Sequence, residues 1–128
     1  MSNRLRTPIK IARGLGSAKH GVHHFMLQRL TALALAVLCI WFVWLVLNLL
    51  HADYAAARAL VAQPLNAVLM LAFVVAFFWH TQLGVQVVIE DYVHTRWLEL
   101  ALQIAVKFLC CLGAAACALA IARIALGS

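Results

Sequence analysis

Three long, mostly apolar stretches, residues 30–50, 65–89 and 97–126, take up most of the chain. Crossing a hydrocarbon core about 30 Å thick takes about 20 helical residues at roughly 1.5 Å rise each, and all three stretches are long enough. The pattern predicts transmembrane helices over about residues 29–50, 64–90 and 97–126, preceded by a basic segment, 1–28. The connections, 51–64 and 90–96, are short, so consecutive helices should run antiparallel as neighbours. The expected fold is an all-α membrane protein, a three-helix up-down-up bundle forming a single membrane domain over residues 1–128.

Composition agrees with this reading. Of the 128 residues, 66% are hydrophobic and 11% charged, against about 45–50% and about 25% in soluble domains. The net charge of +6 is unevenly placed. Arg4, Arg6, Lys10, Arg13, Lys19 and Arg29 precede or open the first helix, whereas the first connection holds only Arg58 beside Asp53. By the positive-inside rule the N-terminus and the second connection face the cytoplasm of a bacterial inner membrane, and the C-terminus faces outward. An Arg-rich, acid-free start also resembles a transit peptide, which keeps the matrix side of a mitochondrial inner membrane as the second reading. The basic tail lacks the apolar core of a secretory signal peptide. It also lacks interleaved aromatic residues, so it reads as facing anionic lipid rather than nucleic acid.

Four cysteines, Cys39, Cys110, Cys111 and Cys117, fall inside apolar helices, away from any metal-ligand spacing, and read as small packing residues. His80 is different. It stands 15 residues after Leu65, roughly 22 Å along the helix and well inside the membrane. A polar side chain at that depth reads as a functional group facing the bundle interior. Gly84, Val87, Val88 and Asp91 share or flank its face at about 100° per residue. A histidine with glycine one turn on suits a flat porphyrin, which needs a nitrogen ligand and a wall without Cβ. The plainer reading is a packing histidine bonded to a neighbouring helix, with a small residue for close approach. Spacing alone leaves both open.

Where the second helix leaves the membrane, Glu90, Asp91 and Tyr92 follow one another. A lipid-soluble quinone has carbonyl oxygens that accept hydrogen bonds and gains two protons with two electrons. Tyr92 offers a phenolic donor at the boundary, and Asp91 a proton route from the aqueous side. Alternatively, Tyr92 belongs to an aromatic belt and the acids to a solvated turn.

The remaining polar residues say less. Arg29 can pair bidentately with a carboxylate or anchor the helix by snorkelling. His20 and His94 read as interfacial, and His51 sits at the outer end of the first helix. Glu99, Gln103 and Lys107 recur at four-residue spacing and can support one another along the third helix. Gly113 and the alanines from Ala114 to Ala120 offer a small-residue packing surface. Trp41, Trp44, Trp79 and Trp97 are dispersed as packing and belt residues.

Taken together, His80, Gly84, Asp91 and Tyr92 (HxxxGxxxxxxDY) and the segment GVHHFMLQRLTA, residues 21–32, resemble the smaller membrane-anchor subunits of succinate dehydrogenase, respiratory complex II. The resemblance covers essentially the whole chain. It implies that His80 is one axial ligand to the iron of a b-type haem, the other coming from a companion anchor subunit that completes the bundle. It implies that Tyr92 and Asp91 lie at a ubiquinone site, and that His23 and Arg29 approach the haem propionates. His24 follows His23 directly, so either imidazole fits that role. Further implied partners are an iron–sulfur subunit and a flavoprotein subunit, which would carry succinate oxidation in the tricarboxylic acid cycle. The chain itself has no Gly-rich nucleotide loop and no iron–sulfur cysteine spacing, so alone it is not expected to be catalytic.

Two other classes compete. A cytochrome b anchor of another respiratory complex would carry more intramembrane histidines in one chain. A non-haem scaffold or small transporter subunit would need no iron.

Overall fold

The computed structural model describes residues 7–9 and 20–127. Among them the chain forms helices α1 (His20–Leu49), α2 (Tyr54–Ala62), α3 (Pro64–Tyr92) and α4 (Arg96–Leu126), with no strand. Helices α1, α3 and α4 are the three apolar stretches, each long and apolar enough to cross a membrane, so the chain is a multi-pass membrane protein. Arg4, Arg6, Lys10, Arg13 and Lys19 lie outside the described residues.

Two boundaries differ from the expectation. Helix α1 is described from His20, and residues 20–28 are helical instead of part of a tail. Charge reports where a helix leaves the hydrocarbon, not where its hydrogen bonding begins. The connection expected over 51–64 contains α2. Asp53 caps this helix, its Oδ1 accepting from the Ala56 N–H at 2.8 Å, which satisfies one of the free amides of a helix start. Pro64 then ends it. A residue before proline is pushed out of helical geometry, and Gln63 lies at φ −58°, ψ 130°. Proline lacks the amide that a first helical position leaves unpaired, so it opens α3 without loss. Asn66, 4% exposed, clamps the corner by donating from Nδ2 to the Leu60 carbonyl at 2.8 Å. At the far end of α4, Gly127 closes the helix in left-handed geometry, φ 78°, where residues other than glycine are strained.

Helix α3 is the middle of the bundle, packed against α4 on one side and α1 on the other, with α2 against α3 and α4 at one end. Against α1, Phe73 stacks on Phe42 with centroids 4.5 Å apart and on Phe77 at 6.1 Å. Against α4 the contact is closer. A Cβ on Gly113 would fall 2.6 Å from the Phe78 ring. In lipid, apolar burial gives little drive for helix association, so close packing of this kind carries the contact. Only 11% of the most apolar windows of α1 and α3, and 6% of that of α4, is buried within the chain. Three helices of this length therefore leave most of their surface for lipid or other subunits.

Because Gly113 is required by contact, Gly113→Val should weaken the α3–α4 packing by about 1–3 kcal/mol. Thermal unfolding in mild detergent, followed by helical circular dichroism, should show the loss.

Candidate functional site

His80 lies roughly 24 Å from the start of α3 and roughly 18 Å from Tyr92. It turns toward α1, where its Nδ1 lies 3.1 Å from Oγ1 of Thr31. Thr31 is 8% exposed. Its hydroxyl also stands 2.9 Å from the Leu27 carbonyl and 3.1 Å from that of Gln28. A hydroxyl has one proton and two acceptor lone pairs. Threonine in a helix gives that proton to the preceding turn, which leaves an acceptor for Nδ1–H of His80. With Nδ1 protonated, the unshared pair of the neutral ring sits on Nε2. No hydrogen bond from the described residues engages Nε2.

Gly84 does not owe its place to helix packing within this chain. A Cβ there would meet only Gln28 Nε2, at 3.7 Å, an ordinary contact. A methyl would fit, in contrast to Gly113. The space beside the imidazole is therefore wider than the α1–α3 contact needs.

Thr31 belongs to a polar stripe. His24, Gln28 and Thr31 recur at i, i+4 and i+7, which puts them on one face of α1. Two atoms of the stripe, His24 Nε2 and Gln28 Oε1, are buried without a hydrogen-bond partner, a costly state in an apolar setting. Beside it opens a cleft of about 540 Å³ between α1 and α3, lined among others by His23, His24, Trp79, Gln82, Gln86 and Glu90. Arg29 is not among the lining residues. It is exposed, its guanidinium 5.1 Å from the centroid of the Phe25 ring, a cation–π contact. Six residues separate His23 from Arg29, so they leave α1 about 120° apart, and the structure does not bring them together.

Asp91 and Tyr92 occupy the last turn of α3 and are exposed, Tyr92 at 79%. Their neighbour Glu90 accepts from Gln86 Nε2 at 2.8 Å. None of the described residues hydrogen-bonds the Asp91 carboxylate. On α4, Gln103 donates to Glu99 at 3.3 Å, as their spacing predicts. Lys107 lines a groove between α3 and α4 with Trp79 and Gln82. His51 Nδ1 lies 3.4 Å from the Leu47 carbonyl in the turn before it, and His94 is exposed in the connection. The cysteines are all free. Among the described residues no three metal-binding side chains converge.

Sequence reasoning does not single out Thr31, Gln28 and Gln86. Their signal was available: polar residues at helical spacing in otherwise apolar turns, facing the helix that bears the histidine.

Comparison with known proteins gives the family. The family model described as succinate dehydrogenase/fumarate reductase transmembrane subunit matches residues 3–114. The succinate dehydrogenase hydrophobic membrane anchor subunit of Rickettsia bellii is 37% identical over 107 residues, covering 84% of this chain and 86% of the relative. That of Rickettsia conorii is 37% identical over 100 residues, 77% of this chain and 79% of the relative. That of Paracoccus denitrificans is 32% identical over 122 residues, 95% of this chain and 94% of the relative. No solved structure matches significantly. With its three spans and this extent of likeness, the chain belongs to the succinate dehydrogenase/fumarate reductase transmembrane subunit family.

Proposed function

We propose that this chain is the smaller membrane anchor of a succinate:ubiquinone oxidoreductase, supplying one axial ligand of a b-type haem and part of a ubiquinone-reduction site. The observation that carries the haem reading is the 3.1 Å contact between His80 Nδ1 and Thr31 Oγ1. Metal-ligating histidines commonly donate their second ring N–H to an acceptor that fixes tautomer and orientation, and the contact leaves Nε2 bare. The absence of a Cβ at Gly84, one turn from His80, fits a flat apolar ring. Bound there, a haem would supply a one-electron redox centre within the hydrocarbon, His80 holding its iron together with a ligand from the companion anchor subunit. For the propionates the candidates are Arg29 and one of the paired histidines. His23 is exposed, whereas His24 holds the buried Nε2 that lacks a partner, so His24 has the stronger unmet need for an acceptor.

At the end of α3, Tyr92 presents its phenol at the membrane boundary to donate to a carbonyl oxygen of ubiquinone. Asp91 faces the aqueous side without a hydrogen-bond partner of its own and relays protons as the quinone gains two electrons and two protons. The electrons come from an iron–sulfur subunit, itself supplied by a flavoprotein subunit, docked on the face that carries Tyr92. Arg29, Arg96 and Lys107 lie toward that face and Arg58 and Arg123 toward the other. With the basic N-terminal segment this supports a reading in which the N-terminus and the quinone site face the cytoplasmic side of a bacterial inner membrane.

Reduced-minus-oxidised spectra and quinone reductase assays of the purified complex test the two halves separately. His80→Ala should abolish the b-type signal. Tyr92→Phe should keep it while slowing ubiquinone reduction about tenfold, the worth of one hydrogen bond of roughly 1–1.5 kcal/mol. Asp91→Asn should slow it about 10²-fold, the scale of a lost proton-transfer group. A b-type signal surviving in His80→Ala, or wild-type quinone reduction in both helix-end variants, would refute the corresponding half.

Gly84 separates cofactor room from folding. Gly84→Ala should leave the thermal stability of the chain unchanged or slightly raised, since alanine is the better helix former, yet lower the haem content of the complex. Pyridine haemochrome assay against protein concentration measures it, and full occupancy would count against a ring lying on Gly84.

A further inference from the structure

The polar atom of another helix that lies within hydrogen-bond distance of His80 is a hydroxyl, and its own proton already has an acceptor. Thr31 Oγ1 lies 2.9 Å from the Leu27 carbonyl and 3.1 Å from that of Gln28, so it has partners on α1 for its single proton. Its remaining role toward His80 Nδ1, 3.1 Å away, is as acceptor. Thr31 is also one of the buried polar residues of the bundle, at 8% exposure, so water does not compete readily for the contact. From this we infer that Thr31 is a positioning residue for the redox centre. Its hydroxyl holds His80 in the Nδ1–H tautomer, aims Nε2 away from α1, and makes the imidazole a more electron-rich ligand.

The inference rests on the haem reading above and adds to it. An acceptor on Nδ1–H draws the proton partly away from the ring and raises the basicity of the ligating nitrogen. A more basic ligand favours the ferric over the ferrous state, so the hydroxyl lowers the potential of the centre. The restraint also joins helices, because Thr31 belongs to α1 and His80 to α3. A mere tether between helices would leave the potential where it was. A ligand-tuning contact would move it.

The test uses the purified four-subunit complex carrying Thr31→Val, Thr31→Ser or the wild-type chain. Valine keeps the shape of threonine and removes the acceptor; serine restores it. In Thr31→Val the haem midpoint potential should rise and haem should transfer to an excess of apomyoglobin 10- to 100-fold more readily, the usual range for a lost partner of a ligating histidine. Thr31→Ser should match the wild type in both. Wild-type potential and haem retention in Thr31→Val would overturn the inference while leaving the haem reading intact. Absence of a b-type spectrum in the wild-type complex would overturn both. Should Thr31→Val fail to assemble, Thr31→Ala removes the same acceptor without crowding and carries the same expectation. Assembly of Thr31→Ser alone, with neither acceptor-free variant assembling, would make the hydroxyl a folding tether and overturn the inference as well.

Discussion

A polar group within hydrocarbon has to find its partner inside the protein, and in this chain that constraint acts through the pairing of His80 with Thr31 at 3.1 Å. The contact sets the facing of α3 on α1, because a part-buried hydrogen bond fixes rotation more sharply than apolar side chains of similar size. Once His80 is turned inward, the rest of its face follows. Gly84 comes beside Gln28, and Phe73 reaches Phe42. The last turn of α3 then carries Asp91 on the flank of His80, with Tyr92 about 100° further round. One hydrogen bond therefore links the middle of the membrane to the chemistry at its edge.

Much of this was legible in the sequence, for identifiable reasons. The spans were readable because membrane thickness imposes a length and an absence of charge that few other structures share. His80 was readable because a lone imidazole at that depth is expensive. Helix α2 was not readable as a helix. Nine residues are too few for a helical pattern to stand out within a connection, and the corner depends on Asp53 and Asn66 bonding to backbone. Nor was the helical state of residues 20–28, since basic residues are as good in a helix as before one. Thr31 was visible only as one residue of a quoted motif. Its role needs the partner helix, which no single-helix pattern supplies.

The two mid-helix glycines, Gly84 and Gly113, show how composition and contact divide. Gly84 and Gly113 look alike in sequence, small residues in apolar helices. The Cβ test separates them, 3.7 Å of clearance at one and 2.6 Å at the other. Gly113 is explained by the chain itself, through Phe78. Gly84 is not, and it adjoins the histidine whose second nitrogen has no partner. The same division runs through the surface. Leu45 is fully buried, yet Ile40, Phe108 and Leu109 are mostly exposed, as expected for a bundle whose outer faces meet other helices or lipid.

The end of α3 breaks a local rule, and the break is informative. The carbonyl end of a helix bears partial negative charge and disfavours carboxylates, each by roughly 0.3–1 kcal/mol near the surface. Glu90 and Asp91 both sit in that last turn, with no basic residue beside them in it. Glu90 is compensated by Gln86 at 2.8 Å. Asp91 is not compensated by any described residue, although it is the acid on the flank of His80. Where sequences depart from local preference without an internal remedy, function is the usual reason. Here the departure leaves a carboxylate exposed next to a phenol at the membrane boundary. Under the proposed reading, that pair is what a quinone site would need to carry protons to a carbonyl.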